Sequence, residues 1–146
     1  MKTDENNPYD WFLLADERLR SADILAAQSA PSYSAVELLQ EAVERYLKGY
    51  LVFRGWKLER IHDLGPLVEA AATYDARFSA FDDLAASLTE QFWAQHYPGD
   101  DLTDVGSDYE TLRRQGGEMI ALIQLSVPTP PSAEPANGGA PIEDRR

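Results

Sequence analysis

Apolar residues recur along this chain at steps of three and four, the period of helices buried on one side. Trp11, Leu14, Ala15, Leu19, Ala22, Leu25 and Ala26 predict a first helix to about Gln28, with Asn7 as N-cap and Pro8 at the first helical position, where its missing N–H costs nothing. Ala30-Pro31-Ser32 breaks it. Ser34 and Glu37 form a capping box that predicts a second helix to about Arg54, ended by Gly55 in the left-handed region. Its inward face carries Val36, Leu39, Val43, Tyr46, Leu47, Tyr50 and Leu51, while Glu41 with Arg45 and Glu44 with Lys48 make i,i+4 pairs opposite. Asp63 is placed to cap a short third helix from Leu64 to about Ala72, with Pro66 in its first turn. Ser79 or Asp82 starts a fourth, with Phe81, Leu84, Leu88 and Phe92 on one side, ending before Tyr97. A second capping box, Ser107 with Glu110, opens a fifth helix that turns Tyr109, Leu112, Met119, Ile120 and Ile123 inward around the weak point Gly116-Gly117. No stretch alternates with period two, so a sheet is not expected. The expected fold is all-α, an up-and-down bundle of four to five helices with the first two as its spine.

From Pro128 the pattern ends. The run PTPPSAEPANGGAPIEDRR has too few apolar side chains to offset the entropy of ordering, which divides the chain into a helical domain over 1–127 and a disordered Pro/Gly-rich tail over 128–146. The 146 residues contain no cysteine, which removes disulfides, thiolate metal sites and thiol nucleophiles, and makes a reducing cytoplasm the expected compartment. The polar start MKTDENNPYDWF is no signal peptide, and no run approaches a membrane span of roughly 18 apolar residues.

Charge is uneven. The formal net charge is −12, which opposes general binding to phosphate backbones. Within residues 45–62, however, Arg45, Lys48, Arg54, Lys57 and Arg60 face only Glu59, so this window is locally cationic. Lys48, Arg54, Lys57, Arg60 and His62 are therefore the candidate ligand-binding residues, suited to an anion or nucleotide, with Trp56 as a candidate for base stacking. The other reading of His62 is a histidine that fixes the loop onto the third helix by hydrogen bonds. The acidic run at 99–104 lacks the glycine and closing glutamate of a calcium loop, so no metal site and no cofactor are expected.

The ordered set Ala42-Val43-Glu44-Arg45-Tyr46-Leu47-Lys48-Gly49-Tyr50-Leu51, Arg54-Gly55, His62-Asp63-Leu64 with Leu67, and Tyr97-Pro98 before the last helix resembles the HEPN family of small helical domains. The likeness covers roughly residues 8–127. It implies a four- or five-helix bundle, usually a homodimer, often encoded beside a minimal nucleotidyltransferase. Some members of the family are metal-independent ribonucleases of toxin–antitoxin or defence systems and others are non-catalytic binding modules, so the residues must decide between them.

Catalytic members carry an arginine, four to six residues, then a histidine, near the start of the last helix; the histidine moves protons and the arginine steadies charge on the phosphorus oxygens. Here Arg54 and His62 are separated by seven residues in the wrong part of the fold, and the nearest arginine upstream of His96 is Arg77. Where a related branch has Arg-Tyr-Pro, this chain has His96-Tyr97-Pro98, a titratable ring in place of a permanent cation. The leading expectation is thus a non-catalytic binding or regulatory module, dimeric, acting with a nucleotidyltransferase in a toxin–antitoxin or defence-type system. The alternatives are a metal-independent ribonuclease with a divergent site, His96 with Arg113 or Arg114, acting on RNA, and a small nucleotide-binding protein using the cationic window.

Overall fold

The structure, a computed structural model, describes residues 1–28 and 32–130. It is built from five helices, α1 (Pro8–Gln28), α2 (Tyr33–Phe53), α3 (Leu64–Tyr74), α4 (Asp82–Ala94) and α5 (Tyr109–Ser126), with a 3₁₀ segment Ala76–Phe81 between α3 and α4. No strand occurs among the described residues. The expected tail lies, from residue 131 onward, outside the described residues, as does the Ala30-Pro31 part of the break after α1.

The core is centred on α2. Leu39, Leu47, Tyr50 and Leu51 meet Leu64, Leu67, Phe78, Leu88, Met119 and Ile123 from the other elements, all essentially without solvent exposure. α3, α4 and α5 all pack against α2, and α1 lies along its remaining side in the most extensive pairing of the fold. With one close neighbour, α1 buries less than its periodicity predicts: Ala15 and Ala22 are fully buried, Trp11, Leu19, Leu25 and Ala26 half-buried, and Leu14 exposed.

The helix starts differ from the sequence expectation in an instructive way. Asn7 does cap α1, its side chain accepting from the Tyr9 N–H at 3.0 Å. α2, however, starts two residues before the predicted box: Ser32 is the N-cap, its hydroxyl accepting from the Ala35 N–H at 3.2 Å, and Ser34 lies exposed inside the first turn. Asp63 and Asp108 occupy the N-cap positions of α3 and α5 without capping through their side chains, and the Ser107 hydroxyl donates to the Asp104 carbonyl instead. Gly55 ends α2 in the left-handed region at φ 91°, as expected.

Candidate functional site

Gln40, Glu44 and Lys48 are spaced four apart, so they form one row along α2. Sequence periodicity puts the Glu44–Lys48 pair on a solvated face, but both side chains are buried, at 7 % and 5 % exposure. The reason is that the start of α1 and the segment after α2 both cover this row. Lys48 Nζ donates to Glu44 Oε2 at 2.8 Å and stands 5.8 Å from the centre of the Trp11 ring. The loop side is fixed by His62, whose Nδ1 lies 3.1 Å from the same Glu44 oxygen and whose carbonyl accepts from Gln40 Nε2 at 2.8 Å. A carboxylate only accepts, so Nδ1 carries the proton and Nε2 is the nitrogen left for a ligand, on a ring 62 % exposed. His62 therefore holds its loop to α2, not to α3.

The next residue extends the site to α4. Asp63 accepts from Trp93 Nε1 at 2.7 Å, and the first N–H of α3, that of Leu64, donates to the Thr89 hydroxyl at 3.1 Å. Trp93 in turn packs edge-on against His96, ring centres 4.8 Å apart, and His96 sits 5.6 Å from both Phe92 and Tyr97. The two histidines of the chain thus belong to one surface, joined through Asp63 and Trp93. That surface presents exposed aromatic rings, Trp93 at 41 % and Tyr97 at 77 %.

The other predicted site residues lie apart from it or are already partnered. Arg113 grips Asp23 of α1 through Nε at 2.7 Å and Nη2 at 3.1 Å, and Arg114 pairs with Glu118, while the rings around His96 are those of Phe92, Trp93 and Tyr97. Lys48 and His62 share Glu44, but Arg60 pairs with Glu5 and Arg54 stacks over Tyr74 at 5.0 Å. Arg45 pairs with Glu41. Lys57 is exposed and forms no ion pair among the described residues. Trp56 packs partly buried against the core. In the acidic run, Asp101 accepts from the Thr103 hydroxyl and from the Thr103 N–H, and those bonds hold its carboxyl below the usual carboxylate range; among the described residues no group of three acidic or histidine side chains is placed to hold a metal.

Sequence reading passed over Gln40, Thr89 and Trp93. The signals were present: Gln40 continues the Glu44–Lys48 row, and Phe92 with His96 and Trp93 with Tyr97 are i,i+4 pairs.

A family model described as HEPN domain matches residues 9–124, from the start of α1 almost to the end of α5. No curated protein and no solved structure matches the chain.

Proposed function

The chain belongs to the HEPN domain family, and from that membership we propose that it works as a non-catalytic binding and regulatory module rather than as a nuclease. The observation that supports this reading is the company His96 keeps. Cleaving RNA without metal requires a cation to steady charge developing on the phosphate, close to the group that moves the proton. The contacts of His96 are aromatic, while Arg113 and Arg114 are already bonded to Asp23 and Glu118. Moving Arg113 to a phosphate would leave Asp23 without its partner.

The same surface suits a protein partner. Aromatic side chains dominate binding hot spots because they bury large area at little cost in conformational freedom, and Trp93 is held in place by its bond to Asp63 before any partner arrives. The partner in this reading is the nucleotidyltransferase that the family resemblance implies. Purified chain incubated with RNA in chelator should leave it intact, and the adjacently encoded nucleotidyltransferase should co-purify with it. Trp93→Ala with Tyr97→Ala should weaken that association at least about tenfold, the effect of truncating one modest hot spot. Metal-free cleavage that His96→Ala abolishes would replace this reading with the ribonuclease one.

A homodimer belongs to the same proposal. Leu13 and Ile24 are exposed at 46 % and 55 %, and their spacing of about three turns sets them on one line of α1. Light scattering should give twice the 16.3 kDa chain mass, and Leu13→Asp with Ile24→Asp should return it to one. An unaltered chain that scatters as a monomer removes the dimer.

A further inference from the structure

Past the end of α5 the chain runs, exposed, along one side of a groove. Val127 is buried, and Pro128, Thr129 and Pro130 line a cleft of about 440 Å³ together with Tyr9, Phe12 and Asp16 of α1, Tyr46 of α2 and Gln124 of α5. Its wall is a row of aromatic rings: Phe12 stacks on Tyr46 with centres 5.4 Å apart and meets Tyr9 edge-on at 6.1 Å. The Tyr46 hydroxyl is committed to Asp16 within the wall. The Tyr9 hydroxyl is not; it donates to the Pro128 carbonyl at 2.7 Å, across 119 positions of sequence.

The segment along the groove has a backbone preset by its composition. Proline fixes φ near −65° and carries no N–H, and a residue before proline is driven to the extended or polyproline II region. Val127, Thr129 and Pro130 each precede a proline. Such a strand offers ring faces and carbonyl oxygens but few donors, so a receptor for it needs aromatic surfaces and a side-chain donor aimed at a carbonyl. Tyr9, Phe12 and Tyr46 supply the surfaces, and the Tyr9 hydroxyl is the donor.

We propose that this groove is a recognition site for a proline-rich strand, and that its resident ligand is the chain's own segment 128–130. A strand tethered to the end of α5 has a high local concentration at the groove, so any external strand must displace it. The site thus binds in cis what other proline-rich receptors bind in trans.

The test uses the full-length chain and NMR. A peptide of residues 127–133, Val-Pro-Thr-Pro-Pro-Ser-Ala, is titrated against the Pro128→Gly/Pro130→Gly variant, whose resident strand has lost its preset backbone. Saturable shifts at the Tyr9, Phe12 and Tyr46 rings are expected, with binding to the unaltered chain at least about tenfold weaker because its own strand lies along the groove and holds the Tyr9 hydroxyl. Adding Tyr9→Phe to the variant should weaken the peptide about fivefold, the loss of one hydrogen bond. No shift in the variant at millimolar peptide, or equal affinity for variant and unaltered chain, overturns the proposal. Should the glycine variant fail to fold, the Thr129 amide decides: its heteronuclear NOE should match that of α5 in the unaltered chain and fall in Tyr9→Phe, and a low value in the unaltered chain overturns the proposal.

Discussion

Glu44 is held in the interior from two directions, by the Lys48 ammonium one turn along its own helix and by the Nδ1–H of His62 on the loop that covers it. A buried pair of this kind adds little over a well-packed apolar pair, yet removing one partner strands a charge. Lys48→Met should therefore cost about 3–5 kcal/mol in urea unfolding, and Glu44→Leu with Lys48→Met should recover most of that loss. His62→Ala should cost under about 1 kcal/mol, because its ring is 62 % exposed and solvent screens its contact. A double variant no more stable than Lys48→Met alone would remove the stranded-charge account. The i,i+4 spacing of Glu44 and Lys48 was legible in the sequence, but their burial was not. An amphipathic reading assumes a helix with one wet face, whereas α2 is surrounded and even its polar row has no exposed residue among Gln40, Glu44 and Lys48.

At the scale of elements, existence was legible and local chemistry less so. All five helices follow from apolar periodicity, yet the two serine–glutamate boxes did not mark the starts of α2 and α5. Ser32 and Ser34 are two apart, and the choice between them turns on where the chain enters the bundle, which is a tertiary matter. Ser32→Ala should cost about 1 kcal/mol and Ser34→Ala should fall within about 0.5 kcal/mol of the unaltered chain, a contrast that thermal unfolding resolves. Glycines separate the same way. Sequence pointed to Gly116-Gly117, but the tightest approach is at Gly49, where an added Cβ would stand 2.5 Å from Phe12 Cε1 and 3.0 Å from Trp11 Cβ. Phe12 is braced against Tyr46 and Trp11 Cβ is attached to the α1 backbone, so neither can simply swing aside. Gly49→Ala should cost about 1–3 kcal/mol net of its gain in helix propensity. At Gly116 the nearest atoms are 3.4 Å and 3.6 Å away, ordinary contact, so Gly116→Ala should be neutral or stabilising by up to about 1 kcal/mol. Equal losses at both positions would show that the α1–α2 contact is no tighter than the α2–α5 one.

Over the whole molecule, the HEPN likeness was legible because it rests on the order of several motifs, while the site was not, because it is made by folding. The cationic window is a feature of the sequence that the structure disperses: Arg45, Lys48 and Arg60 each take a carboxylate and Arg54 an aromatic ring. The juxtaposition of Asp63 with Trp93 joins two turns that sequence reading could only treat separately. The fold also sets an alkaline limit. Burial raises the phenols of Tyr46, Tyr50 and Tyr109 above their ordinary value of 10.0, with Asp16 adding to the first; for Tyr50 the Arg54 charge opposes the rise, and Tyr109, beside Asp23, is pushed up to about 12. An acid group whose folded value is raised contributes its full stability below its unfolded value and loses it as pH climbs toward the folded one. Between pH 10 and about 12 the unfolded chain releases a proton that Tyr109 retains in the fold, removing up to about 1.4 kcal/mol per pH unit, and the raised phenols of Tyr46 and Tyr50 act in the same direction. The mounting negative charge of a chain already at −12 acts in the same direction. Helix loss by circular dichroism should accordingly coincide with the last portion of the tyrosinate absorbance change, and the Tyr109→Phe variant should retain helix to higher pH. Complete ionisation of all seven tyrosines with the helix signal intact would show that burial does not hold these phenols neutral.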